Sequence, residues 1–261
     1  MKNYSRTIVL ASVVMLQMAL TASAGELRGT QESRVTALSQ FYQANSAYKE
    51  GDYPKAIENY EGVIKGGMVS GPIYYNLGNS YFKAGDLGAA ILNYEKAKRF
   101  IPRDSDLEAN ARYAVSLTKN LAEALPVNFF EKIYSLYGEF LTIDEITLVL
   151  FWLFVIWGAI SLGGLYGRWP PRTIAYTLVI FLALFFFNLS IVSDKLEKQG
   201  SLAVVMKDAS AKFEPRDGAT THFELAQGWK VISLDSEGGW AKVKRQDGKV
   251  GWVKKELLGK I

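Results

Sequence analysis

Asn45 and Asn79 stand 34 positions apart, and Lys49 and Lys83 follow them at the same separation, with Asn76 just ahead of the second pair. An asparagine amide offers donors and an acceptor, so a row of them can hold the backbone of an extended peptide. The same side chains can equally form a solvated polar face. This is binding chemistry, and nothing else in the chain points to catalysis. There is no cysteine, which excludes thiolate nucleophiles, disulfides and cysteine metal sites. The lone His222 has no second histidine with which to share a metal, and no nucleophile–base pair, carboxylate dyad motif or phosphate loop is visible. The reading is a non-enzymatic protein without cofactor or metal. The formal net charge of +4 over 261 residues is too small and too evenly spread to neutralise a nucleic-acid backbone.

The elements that must position these residues recur with them. Residues 45–61 return as 79–95 with ten identities in seventeen positions, including Gly51-Asp52 as Gly85-Asp86, Ala56 as Ala90 and Tyr60 as Tyr94. A 34-residue period with this pattern resembles the tetratricopeptide (TPR) helix–turn–helix repeat, in which units stack into a solenoid that grips other proteins. The resemblance gives a TPR domain over 37–124: repeats at 37–70 and 71–104, and a capping helix at 105–124. Leu77, Gly78, Tyr81, Ala90, Tyr94, Ala97 and Pro102 fall at the family's packing positions. The first repeat ends in Gly66-Gly67-Met68 in place of the proline, which predicts a looser connection. By the same resemblance Asn45, Lys49, Asn76, Asn79 and Lys83 line the partner-binding groove. Some TPR domains clamp a terminal carboxylate with such asparagines and added cations. Here Phe41, Asp106 and Asn110 stand where those cations belong, so carboxylate capture is not expected.

The first 24 residues read as an export signal: Lys2 and Arg6, an apolar stretch over 8–20, then Ala22-Ser23-Ala24 before a cut ahead of Gly25. An uncleaved anchor is the alternative, and either one sends the repeats across the membrane. Two uncharged runs, 146–167 and 173–193, each reach roughly 30 Å as helices, enough for a bilayer core. They form a transmembrane hairpin, helix 144–167 and helix 173–193, around Arg168-Trp169-Pro170-Pro171-Arg172, whose arginines favour the cytoplasmic side. Both flanking segments then lie outside. Residues 127–141 place Phe129, Phe130, Ile133, Leu136, Tyr137 and Phe140 at helical spacing, as an amphipathic helix in the interface or one packed on the repeats. Thr142-Ile143-Asp144-Glu145 reads as a capping box. Asn188, the one strongly polar side chain in the spans, suits helix–helix contact better than transport.

From residue 202 the pattern switches to period two, with strands expected at 202–206, 230–234, 240–244 and 249–253. Gly239-Trp240-x-x-Val243 followed by Asp247-Gly248-x-x-Gly251-Trp252-Val253 resembles a bacterial SH3-like barrel over 202–261. Such domains bind cell-wall peptides or proteins, and Trp240 and Trp252 are its candidate partner-binding residues or, alternatively, core residues.

The fold class is therefore a multidomain membrane protein: an α-solenoid TPR domain, a two-helix transmembrane hairpin and a small all-β SH3-like barrel. That order resembles the BatE family, the TPR proteins of the bacterial aerotolerance (Bat) operons. The resemblance implies an inner-membrane scaffold with extracytoplasmic TPR and SH3-like domains. Its implied partners are von Willebrand-A-type Bat proteins and a MoxR-type ATPase, in an envelope or oxidative-stress role. The competing reading is a peptidoglycan-binding or envelope-sensing protein acting through the SH3-like domain.

Overall fold

The computed structural model describes residues 35–118 and 128–261. The expected export signal and residues 119–127 of the expected capping and amphipathic segments lie outside the described residues. Five helices form the repeat region: α1 (35–50), α2 (Tyr53–Lys65), α3 (Gly71–Lys83), α4 (Leu87–Lys98) and α5 (Ser105–Ser116).

The two helix–helix turns repeat down to single atoms. Gly51 and Gly85 take φ of +83° and +84°, a conformation that an L side chain adopts only with strain. The next amide, of Asp52 or Asp86, donates back to Ala47 O or Tyr81 O, closing the first helix. The same aspartates then cap the second helix, accepting from Lys55 N (3.2 Å) and Ala89 N (3.0 Å). Asp104 caps α5 likewise through Leu107 N at 2.8 Å. Ala56 and Ala90 are both fully buried. A Cβ on Gly78 would stand 2.7 Å from the Tyr94 ring, so α3 and α4 approach closely because Gly78 has no side chain. The expected loose connection after the first repeat is instead a closed turn. Gly67 takes φ +85°, and Met68 N–H donates to Val63 O at 3.2 Å.

Helix α6 (Phe129–Phe140) starts at Asn128 with a capping box to Glu131, and α7 (Ile143–Tyr166) starts at Thr142 with a second one to Glu145. α7 and the Pro171–Glu197 part of α8 (Pro171–Ser201) are long and apolar enough to cross a membrane, with mean hydropathies of 2.2 and 2.3. They form a hairpin in which Trp157 stacks on Phe181 at 4.8 Å, and Arg168 turns the chain at φ +52°. α8 runs past the apolar stretch to Ser201 and into the sheet without a break, since no proline interrupts its polar end.

The C-terminal sheet has seven antiparallel strands: β1 (Leu202–Val205), β2 (Ala209–Lys212), β3 (Thr221–Leu225), β4 (Lys230–Glu237), β5 (Trp240–Lys244), β6 (Val250–Lys254) and β7 (Leu258–Lys260). Their order is β3-β2-β6-β5-β4-β1-β7, and the sheet stays open between β3 and β7. Its core gathers Val205, Phe223, Leu225, Val231, Val243 and Val253. Gly251 passes so close to β2 that a Cβ would sit 3.0 Å from that of Ala211, which explains the glycine before Trp252.

The repeats and the sheet share a packed boundary. Val204 belongs to the same buried cluster as Ile91, Leu92 and Tyr94 of α4. Added Cβ atoms would collide at 2.6 Å between Gly88 and Met206 O, and at 2.5 Å between Gly259 and Leu92.

Candidate protein-interaction site

The candidate asparagines are brought together, and they are not idle. Asn45 Oδ1 accepts from the Tyr60 hydroxyl (2.5 Å) and from Asn76 Nδ2 (3.4 Å). One repeat later, Asn79 Oδ1 accepts from the Tyr94 hydroxyl (2.8 Å) and from Asn110 Nδ2 (3.1 Å). Asn110 also donates to the Tyr75 hydroxyl at 2.8 Å. The spacings are identical in both repeats, so this is a hydrogen-bonded ladder that ties α1 to α3 and α3 to α5. It stitches the stack while leaving the asparagines half-buried at its surface.

Burial pushes the Tyr60 hydroxyl up to about 12, and it raises Tyr94 further, so both remain proton donors to the ladder at neutral pH. Burial and the neighbouring Glu61 raise Tyr81 as well, and its hydroxyl donates to Glu61 at 2.5 Å. Lys49 and Lys83 project exposed from the ends of α1 and α3. Tyr113 of α5, 58 % exposed, packs its ring 5.7 Å from that of Phe82. The sequence reading missed Asn110 and Tyr75 as ladder members. Asn110 repeats Asn76 at 34 residues, and that signal was available.

The opposite face of the second repeat is occupied. α4 is buried nearly all round, through Gly88, Ala89, Ala90, Ile91, Leu92, Asn93, Tyr94 and Ala97. At its edge Gln227 Nε2 donates to Asp86 Oδ1 (3.3 Å) and to Met206 O (3.0 Å). Glu95, with its side chain 14 % exposed, meets Lys98 at 2.9 Å and Lys230 at 3.4 Å. Burial alone would raise its carboxyl, but the two lysines outweigh burial and hold it below the usual carboxylate range.

Residues 71–104 match the tetratricopeptide repeat family. The match covers the second helical repeat, the one welded to the sheet. No curated protein matches the chain. TPR repeats generally mediate protein–protein contacts.

The two candidate tryptophans of the sheet sit differently. Trp240 is only 8 % exposed, with the Lys212 and Lys254 ammonium groups 5.6 and 5.7 Å from its ring centre. Trp252 is half-buried, with Lys242 at 5.8 Å. His222 lies against the exposed Phe213, ring centres 4.2 Å apart, which is a packing role. Asn188, 4 % exposed, accepts from the Tyr137 hydroxyl at 2.9 Å, so it joins α8 to α6. No group of three or more His, Asp or Glu residues able to hold a metal occurs among the described residues.

Proposed function

We propose that this protein is a membrane-anchored, non-enzymatic adaptor that docks an extended segment of a partner protein on the α1–α3–α5 face of its TPR region. The observation that carries this reading is the two-repeat asparagine–tyrosine ladder. It presents half-buried amides whose other atoms, Asn45 and Asn79 Nδ2 and Asn76 and Asn110 Oδ1, have no side-chain partner among the described residues and can meet a peptide backbone. Exposed Lys49 and Lys83 stand at its rim. The apolar hairpin supports an anchor with two passes through a bacterial inner membrane, the TPR region and sheet both extracytoplasmic and Trp169 cytoplasmic. The order of segments supports a role like that of the Bat aerotolerance proteins, with von Willebrand-A-type and MoxR-type systems as partners and an SH3-like sheet beside the groove. A peptidoglycan-binding role through that sheet would rest on half-buried Trp252 and exposed Phe213, since Trp240 is buried.

The test uses the full chain in its native membrane. Crosslinking followed by mass spectrometry identifies the partner, and Lys49→Glu/Lys83→Glu should then weaken its capture without altering the amount of folded chain. Unchanged capture moves docking away from this face. Co-sedimentation with purified cell wall instead supports the peptidoglycan reading. Reporter fusions at Ile261 and at Trp169 check the topology, the first active outside the cytoplasm and the second silent.

A further inference from the structure

The α4–α5 turn and the start of α7 line an open, shallow cleft of about 540 Å³, whose walls include Arg99, Phe100, Arg103, Thr142, Asp144 and Glu145. Two of its charges are already matched. Arg103 Nη2 lies 2.5 Å from Glu145 Oε1, and its guanidinium sits 5.1 Å from the centre of the Phe140 ring. Asp104, also on the wall, is turned to its capping bond with Leu107 N. Arg99 and Asp144 remain exposed in the same cleft, with no ion pair to either among the described residues. The cleft thus offers one unmatched positive and one unmatched negative group.

Its position says which ligand meets it. Asp144 is the second residue of α7, where the first apolar helix begins. The preceding α6 exposes Phe129, Phe130, Ile133, Leu136 and Phe140 and is tied to α8 through Tyr137 and Asn188. Phe100, 45 % exposed, adds an apolar face to the cleft wall. In a chain held by the α7–α8 hairpin, the cleft lies at the level of the lipid headgroups.

We propose that this cleft seats the headgroup of an amine-bearing zwitterionic phospholipid, with its phosphate on Arg99, its ammonium on Asp144 and its acyl chains on the apolar surface of α6 and α7. This rests on the membrane-anchored reading above. A primary ammonium donates hydrogen bonds to a carboxylate, whereas a choline headgroup cannot. An anionic glycerol headgroup would leave Asp144 without a cation.

The test is native mass spectrometry of the detergent-purified full chain with added phosphatidylethanolamine, phosphatidylcholine or phosphatidylglycerol. A charge contact at the membrane surface of about 1 kcal/mol corresponds to about fivefold in retention. Phosphatidylethanolamine should be retained about fivefold more than the other two. Arg99→Ala should lower retention of all three, and Asp144→Asn should erase the ethanolamine preference alone. Equal retention of the three lipids, or a preference that survives Asp144→Asn, overturns the proposal. Competition by soluble phosphoethanolamine would assign the cleft to a free zwitterion and overturn it too. Carbonate washing of membranes separates the two levels. A chain that washes off refutes the anchor itself, whereas an embedded chain without lipid preference refutes only the seat.

Discussion

The two helical repeats have nearly the same inner face and opposite outer faces. Pro54, Lys55 and Glu58 of α2 are exposed, while their counterparts Gly88, Ala89 and Leu92 of α4 are buried against the sheet or the repeat core. Glu61 stays within the stack on the Tyr81 hydroxyl, whereas the equivalent Glu95 reaches Lys230 of β4. A repeat's inner positions record how it stacks, and its outer positions record what covers it. Small and apolar residues on the outer positions of α4 let a sheet lie there, while the outer positions of α2 stay uncovered.

The sharpest way to break this comparison is to exchange the outer residues. Leu92→Glu removes a buried leucine and places a carboxylate at the α4–sheet boundary, so it should cost more than about 3 kcal/mol. Glu58→Leu, the reverse change on α2, should stay within about 0.5 kcal/mol. Thermal unfolding of the purified full chain measures both, and similar losses would mean that the outer faces are equivalent. The inner positions should behave alike in the two repeats. Ala56→Leu and Ala90→Leu each overfill a site with no exposure and should each cost about 1–3 kcal/mol in the same experiment. A tolerated leucine at either site contradicts the packing described here.

Smaller and again paired are the ladder hydroxyls. Tyr60→Phe and Tyr94→Phe each strip one donor from an asparagine oxygen and should cost about 1 kcal/mol in denaturant unfolding. A loss in one repeat but not the other would break the ladder's equivalence. The smallest effect depends on pH. The folded Glu95 carboxyl titrates below its ordinary value of 4.5, so its contribution is complete above that value and is lost as pH falls through the lowered one. The stability gap between the wild type and Glu95→Gln should therefore narrow on acidification below pH 4.5. A gap that widens there would mean that burial outweighs the lysines.

Much of this was legible in the sequence, because a 34-residue period, long apolar runs and period-two strands are strong signals. The parts that were not legible depend on tertiary contact. β2 (Ala209–Lys212) and β3 (Thr221–Leu225) are short and weakly apolar, and they become strands only by pairing with each other and, at Lys212 and Trp252, with β6. The expected small barrel is an open sheet, with β7 packed on α4, a contact no local pattern announces. From the sequence, Asn45, Asn76 and Asn79 line a groove or form a solvated polar face, with no sign of their bonding partners. Their partners Tyr60, Tyr94 and Asn110 lie 15 and 31 residues away, and only the stacked helices bring them within bonding distance.

The most direct test of docking on the ladder face places a photo-crosslinking residue at Tyr113, on that face, and at Glu58, on the outer face of α2, in the full chain in intact cells. A discrete protein adduct is expected from position 113, absent from position 58 and lost when Lys49→Glu/Lys83→Glu is added. An adduct from position 58 with none from position 113, or one that survives the lysine changes, would contradict docking on this face.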